Sequence, residues 1–337
     1  MRTNKLAPTS ALVTGAAGQD GSYLIELLLA AGHVVHAQSR QIQPASAPRE
    51  NLIWHVGAMT DQGFLTELLT SVSPDEIYNL AAMSRPVQSW DIPDETTLLN
   101  AVVPQRLCEF VAKHHPTCRL LQASSSDMFS GTQDVVQNEN TCLRPQTPYG
   151  ISKASAHLTI GAYRERYGLH ASSAILFNHE SPRRPLSFVS QKIAYAAAAI
   201  SLGQTESRAL DERGRPIVTG GKVQLGNLDI RRDFGFAGDV ARAMYMIASS
   251  NKPGDYIVGT GQNKSIAEFC EAAFDVVGLN WRDHTLVDTS LIRAADMPAS
   301  TAEASKLRSQ LGWNPKVSFS DLVKMMVEEQ ISVLRTA

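Results

Sequence analysis

Cysteine is scarce: four in 337 residues, at Cys108, Cys118, Cys142 and Cys270, with no CxxC pair. So few and so scattered, they exclude a disulfide framework and a thiolate metal site, and a reducing, cytoplasmic setting is expected. The nine histidines show no ligand spacing with carboxylates or cysteines, so no metal is expected. A basic excess is also missing. With 31 Lys and Arg against 33 Asp and Glu, the net charge of -2 argues against a nucleic-acid partner, although local arginines can still hold a small anion. Long apolar runs are lacking as well. The longest, near Ile193 to Leu202, is about half the ~20 residues of a membrane helix, and residues 1–9 have no signal-peptide core. A soluble protein with no membrane partner is expected.

A hydrophobic content of 43% is enough for a sizeable core, as one large domain or a large one with a smaller partner. Strand-like runs at Ala11–Thr14, Val34–Ala37, Asn51–Val56, Glu76–Ala81, Leu120–Ala123 and Ala171–Phe177 are expected. Helical stretches at Tyr23–Ala31, Asp61–Ser71, Thr96–His114 and Tyr149–Tyr167 lie among them. Such alternation predicts an α/β fold, a doubly wound parallel sheet covered on both faces. The rhythm breaks after Asn178. Residues 1–178 are read as a dinucleotide-binding domain, with segments near 229–250 returning to it. Residues 179–337 are read as mainly a smaller, mixed α/β substrate-binding domain.

Thr14 to Gly21 joins the first strand to the first helix. Gly15, Gly18 and Gly21 there permit a tight turn and let backbone N–H groups approach a pyrophosphate, the mark of a Rossmann dinucleotide site. An NAD site carries a carboxylate at the end of the second strand. This chain has Ala37-Gln38-Ser39-Arg40, and the Arg40 guanidinium suits the 2′-phosphate of NADP. Tyr149 and Lys153, one helical turn apart, form a second motif. A nearby ammonium and a cationic nicotinamide are expected to lower the tyrosine pKa, making its phenolate a base toward a sugar hydroxyl. The third is Ser124-Ser125-Ser126-Asp127 at the carboxyl end of a central strand, the edge where ligands bind in open α/β sheets. A serine hydroxyl there can hold the oxygen that Tyr149 deprotonates. Asp127 is the more telling residue, because hydride transfer needs no extra carboxylate whereas elimination of water does.

With these motifs, the chain resembles the GDP-mannose 4,6-dehydratase family of extended short-chain dehydrogenase/reductases over nearly its whole length. The blocks are Gly18-Gln19-Asp20-Gly21-Ser22-Tyr23-Leu24, Glu76-Ile77-Tyr78-Asn79-Leu80, Asn178-His179-Glu180-Ser181-Pro182-Arg183-Arg184, Leu225-Gly226-Asn227-Leu228-Asp229, Arg232-Asp233-Phe234-Gly235 and Leu311-Gly312-Trp313-Asn314-Pro315. The resemblance implies a redox-neutral lyase cycle using NADP, with Ser125, Asp127, Tyr149 and Lys153 catalytic. It implies cofactor contacts at Gln19, Asp20, Leu80, Ala81, Ala82, Phe177, His179 and Arg184, beside the glycines, Arg40, Tyr149 and Lys153. Substrate contacts are implied at Ser84, Ser125, Asn178, Glu180, Lys192, Arg232 and Arg293, with Arg184 also placed toward the substrate. A nucleotide sugar, foremost GDP-mannose, is the implied substrate, and a homo-oligomer, dimer or tetramer, the implied assembly.

Five departures from the family pattern stand out. Asp127 replaces the usual glutamate. Gly57-Ala58-Met59 lacks the aspartate of Gly-Asp-Leu, and Met83 stands where a glutamine is usual. The arginine-rich loop after the second strand is reduced to Arg40-Gln41 and a different sequence. The segment 205–222 is longer by about a dozen residues, and its Gly214-Arg215-Pro216 and Gly220-Gly221 predict a polar hairpin or flap. A nucleotide-sugar epimerase or 4-ketosugar reductase, or a binding homologue with weakened catalysis, remain the alternatives.

Overall fold

In a computed structural model, residues 9–41, 49–292 and 297–336 are described. Seven strands form one parallel sheet in the order Asp255–Val258, Ala171–Leu176, Arg119–Ser125, Glu76–Asn79, Ser10–Thr14, Val34–Ser39, Leu52–Val56. The reversal of direction falls between the first strand and Glu76–Asn79, so the crevice for a ligand opens at their carboxyl ends. One face is covered by helices Gln19–Ala30 and Ala237–Ser249, whose Leu24, Leu28, Val240 and Met244 share a core cluster with Val13, Val35 and Leu121. On the other face pack Gln62–Val72, Val103–His114 and Pro148–Tyr167, through Leu65, Leu69, Leu107 and Ile160.

Sheet alternation made six of these strands legible. The seventh, Asp255–Val258, was not among the expected elements: it pairs with Ala171–Leu176 only after an excursion of some eighty residues. Glu139 caps this edge strand, accepting from the Ile257 N–H at 2.9 Å. Expected boundaries shift for local reasons. The first helix begins at Gln19, directly after Gly18. The strand Glu76–Asn79 ends two residues early, because the Thr14 hydroxyl oxygen accepts from the N–H groups of Leu80 and Ala81, both at 3.1 Å. The expected helix Thr96–His114 contains a π turn at Leu98–Val102.

A second core lies around helices Val189–Ser201, Ile266–Asp275 and Phe319–Thr336. Two buried carboxylates tie the units of chain together. Asp233 accepts from the backbone N–H groups of Thr260, Gly261 and Ala302 and from the Thr260 hydroxyl. Burial still pushes its pKa up, against those hydrogen bonds. Asp239 accepts from the N–H groups of Lys316 and Val317, while the buried Trp313 indole donates to its carbonyl. The Arg-Asp-Phe-Gly and Gly-Trp-Asn-Pro blocks are therefore tethers. No helix among the described residues is long and apolar enough to cross a membrane.

Candidate functional site

The glycine loop shows what its residues must do. Gly15 has a φ of +63°, and a Cβ added to it would lie 2.8 Å from the Ala81 backbone, so only glycine fits between the two strand ends. Gly18 caps the first helix with no side chain satisfying its leading N–H groups. Those groups and the absence of side-chain bulk suit a dinucleotide pyrophosphate. Leu80, Ala81 and Ala82 line the opposite side, half-buried. Beneath them runs a buried rung: Thr14 Oγ1 donates to Asn79 Oδ1 at 2.7 Å, and Asn79 Nδ2 to Gln122 Oε1 at 2.7 Å. Gln38 joins the loops, accepting from Gly15 N at 3.0 Å and donating to Gly57 O at 2.6 Å. Arg40 stands exposed just beyond, and Ala58 is exposed on the neighbouring loop.

Gln19 and Asp20 turn toward the Asn-His-Glu-Ser segment. Gln19 Nε2 donates to the His179 carbonyl at 3.1 Å, and Ser181 Oγ donates to Gln19 Oε1 at 2.8 Å. His179 Nε2 lies 3.0 Å from Asp20 Oδ2, and its Nδ1 lies 2.6 Å from the Phe177 carbonyl. Both ring nitrogens thus face acceptors, which requires both to carry protons, so His179 is an imidazolium paired with a carboxylate. Burial raises the Asp20 pKa, but the His179 charge and hydrogen bonds outweigh it and hold the group at about 2. For His179, burial lowers the pKa, and Asp20 more than reverses this, leaving it raised. Phe177 was expected to touch the cofactor. Its side chain is buried in an apolar cluster with Met128, Phe129, Ile175 and Ile257, and its carbonyl orients His179.

The helix Pro148–Tyr167 starts where its sequence says it should: Thr147 Oγ1 accepts from Gly150 N at 3.0 Å, and Pro148 occupies the first turn. Tyr149 is nearly buried and its side chain hydrogen-bonds Ser125. Lys153, also buried, donates to the Ala123 carbonyl at 2.8 Å, its Nζ 5.9 Å from the Tyr149 ring centre. The turn Ser126–Phe129 is capped by Ser125, whose Oγ accepts from Asp127 N at 3.2 Å. It abuts the helix so closely that a Cβ on Gly150 would lie 2.9 Å from the Asp127 carbonyl. Four residues from two sequence blocks are thus gathered at one strand end.

The expected lowering of the Tyr149 pKa is not what these protein groups produce. Burial pushes it up, the Asp127 charge adds to that, and Ser125 and Arg184 only partly offset them. Lys153 is itself affected: burial pulls its pKa down to about 8, against the pull of Asp20. A phenolate at Tyr149 therefore depends on positive charge beyond what these side chains supply.

Asn100, which sequence reasoning did not single out, sits in the π turn, fully buried. It accepts from Met83 N at 2.9 Å and donates to Met83 O at 3.0 Å and to Ser152 Oγ at 3.1 Å. It thereby ties the exposed Ser84 loop to the helix that carries Tyr149. The Ser89 hydroxyl oxygen accepts from Tyr149 N at 3.1 Å, a second tie. A lone asparagine within an amphipathic helix gives no local signal of this.

The expected substrate residues separate into two groups. Glu180 is buried in an internal set: Ser190 Oγ donates to it at 2.6 Å, and Arg184 Nε lies 3.2 Å away, with the Arg184 guanidinium stacked 3.6 Å over the Phe188 ring. Lys192 is nearly buried and reaches Asp211 at 3.6 Å. Asn178, half-buried, accepts from Gly235 N through its carbonyl, and Arg232 Nη1 donates to the carbonyls of Arg231 and Met297. Arg293 lies outside the described residues.

A Rossmann sheet with a glycine loop, a serine, and a Tyr-x-x-x-Lys pair at the strand ends defines a dinucleotide-dependent enzyme of the short-chain dehydrogenase/reductase type. Among solved structures, MoeE5 in complex with UDP-glucose and NAD superposes with a TM-score of 0.80 at 25% identity, covering 96% of this chain and 99% of that one. The family described as GDP-mannose 4,6 dehydratase matches residues 12–326. GDP-mannose 4,6 dehydratase 1 of Arabidopsis thaliana is 40% identical over 96% of this chain and 90% of its own length. GDP-mannose 4,6-dehydratase of Sinorhizobium fredii is 36% identical over 96% and 97%. The chain belongs to the GDP-mannose 4,6-dehydratase family.

Proposed function

We propose that the protein converts GDP-mannose to its 4-keto-6-deoxy sugar nucleotide with NADP as an internal hydride store. The observation that carries this is the Asp127 turn held against the helix that presents Tyr149 and Lys153. An epimerase or 4-ketosugar reductase has no use for a carboxylate there. NADP, when bound, supplies reversible hydride transfer; Gly15, Gly18, Gly21 and the uncapped helix start hold its pyrophosphate, and Arg40 its 2′-phosphate.

Tyr149 takes the C4 hydroxyl proton, with Ser125 holding that oxygen. Lys153, through its ammonium, favours the phenolate. The ketone left at C4 acidifies C5, and Asp127 removes the C5 proton, which leaves with the C6 hydroxyl as water. With NADP bound, the hydride taken from C4 would end on C6 while the proton held by Tyr149 returns to C5, so the tyrosine is reset and no external reductant is consumed. Asn178, Glu180, Arg184, Lys192, Arg232 and Arg293 form the substrate side, with the arginines making charge-assisted bonds to the diphosphate. On this reading residues 1–178, with the segments near 229–250, are the cofactor domain, and the remainder mainly binds substrate. A homo-oligomer accompanies it, because Ile151 and Leu158 project from the Tyr149 helix 56% and 61% exposed, an apolar face that fits a second copy.

Mass spectrometry of GDP-mannose incubated with catalytic NADP⁺ tests the proposal, the expected product lacking one water. Asp127→Asn retains NADP binding but loses elimination by about 100-fold or more. Normal turnover by that variant would remove Asp127 from the mechanism.

A further inference from the structure

The segment 205–222 is not a free flap. It folds back on itself through antiparallel bridges between Glu206 and Thr219 and between Leu210 and Pro216, then turns at Gly220-Gly221 into the strand Lys222–Leu225. Ile217 and Val218 are buried in the second core beside Ile193 and Ala197. The outer end is braced too: Arg215 Nη1 lies 3.0 Å from Asp288 Oδ2, and Arg213 donates to the Ser290 carbonyl and hydroxyl at 2.8 and 3.0 Å.

At the centre of this segment is Asp211. One carboxylate oxygen accepts from the N–H groups of Arg213 and Arg215, both at 2.9 Å. The other accepts from Arg215 Nε and Nη2 at 3.2 and 3.1 Å and lies 3.6 Å from Lys192 Nζ. Both side chains of the Lys192–Asp211 pair are almost wholly buried, 6% and 2% exposed. An ammonium in that position needs a counter-charge, and the helix carrying Lys192 offers none there: the Glu180 carboxylate beneath its first turn is already taken by Ser190 and Arg184. Asp211 lies in the segment 205–222, which is longer than the family pattern expects.

The structure assigns Asp211 as the positioning residue for Lys192, and the segment 205–222 as a braced wall of the nucleotide end of the substrate pocket. This rests on the reading of Lys192 as a substrate-binding residue. Asp211 touches no reacting atom. Saturated with donors, it acts by holding the Lys192 Nζ at one place, so its loss changes how tightly the nucleotide is held and leaves the chemical step alone.

The test is a double-mutant cycle of Asp211→Asn and Lys192→Met. GDP affinity is measured by calorimetry in the presence of NADP, KM and kcat are measured for GDP-mannose, and thermal melting checks the fold. Asp211→Asn raises the GDP Kd and the KM together, on the order of tenfold, while kcat stays within about a factor of two. In the Lys192→Met background the same change has little further effect on the Kd. Asp211→Glu keeps the buried charge and the fold but displaces the ammonium, and gives a smaller rise in KM. Three results overturn the inference: melting that falls with Kd and KM unchanged, effects that simply add in the cycle, or a wild-type protein that binds no GDP. Wild-type protein that binds GDP without dehydrating GDP-mannose refutes the proposed function instead, and the calorimetric cycle still reads the pair.

Discussion

Gly150→Ala separates two effects of opposite sign at one position. Replacing a glycine within a helix by alanine normally stabilises by about 0.5–1 kcal/mol, because the unfolded chain loses freedom. Here the added methyl carbon would lie 2.9 Å from the Asp127 carbonyl oxygen and 3.1 Å from Pro145 Cβ. The first is about 0.5 Å short of an ordinary contact, and the clashing atom is backbone, which cannot swing aside. Crowding of this kind costs about 1–3 kcal/mol, so it wins, and the variant loses on the order of 1 kcal/mol. What moves is the turn that carries Asp127. Since about 1 Å of misplacement costs roughly 100-fold in rate, a shift of half that lowers kcat by between about 10- and 100-fold. NADP affinity falls much less than kcat, because the added methyl meets the Asp127 turn, Pro145 and Thr147 and not the glycine loop. Calorimetric unfolding, NADP titration and product formation by mass spectrometry read the three quantities separately. A variant that melts above wild type and turns over normally would refute the placement of the Asp127 turn.

Three more expectations come from the buried polar groups. Lys153→Met removes a cation whose burial holds its pKa at about 8, so the variant melts no lower than wild type at pH 7 although elimination falls by at least about 100-fold; a large drop in melting temperature would contradict this. Asp20, held at about 2 against 3.8, contributes about 2 kcal/mol that is present above pH 4 and lost as pH falls toward 2. The raised pKa of His179 gives the opposite limb, with a contribution complete below pH 6.5 and lost as pH rises through the raised value. Asp20→Asn therefore flattens both limbs of the stability–pH profile measured by denaturant unfolding, and an unchanged profile would disprove the ion pair. Asn100→Ala leaves the Met83 N–H and carbonyl without their partner, costs about 1–3 kcal/mol in denaturant unfolding and weakens binding at the Ser84 loop; an unchanged midpoint would show that the tie does not matter.

The sequence by itself determined the local devices. The period of its apolar residues set six parallel strands and the helices between them. The glycines after Thr14, Thr147-Pro148 before Tyr149, and the Ser125–Asp127 cluster announce backbone geometry and chemistry that depend on few neighbours, and the family blocks carried the rest of the recognition. Tertiary structure alone decided what depends on residues far apart in the chain. The seventh strand is defined by its pairing with Ala171–Leu176, not by its own pattern. His179 becomes an imidazolium only because Asp20, 159 residues away, and the Phe177 carbonyl meet its two nitrogens. The Tyr149 pKa rises because the fold buries it beside Asp127, an electrostatic environment that the spacing of Tyr149 and Lys153 does not contain. Asp211 likewise gives no signal in the sequence; the fold buries it against Lys192, and burial is what turns a surface charge into one that must be matched.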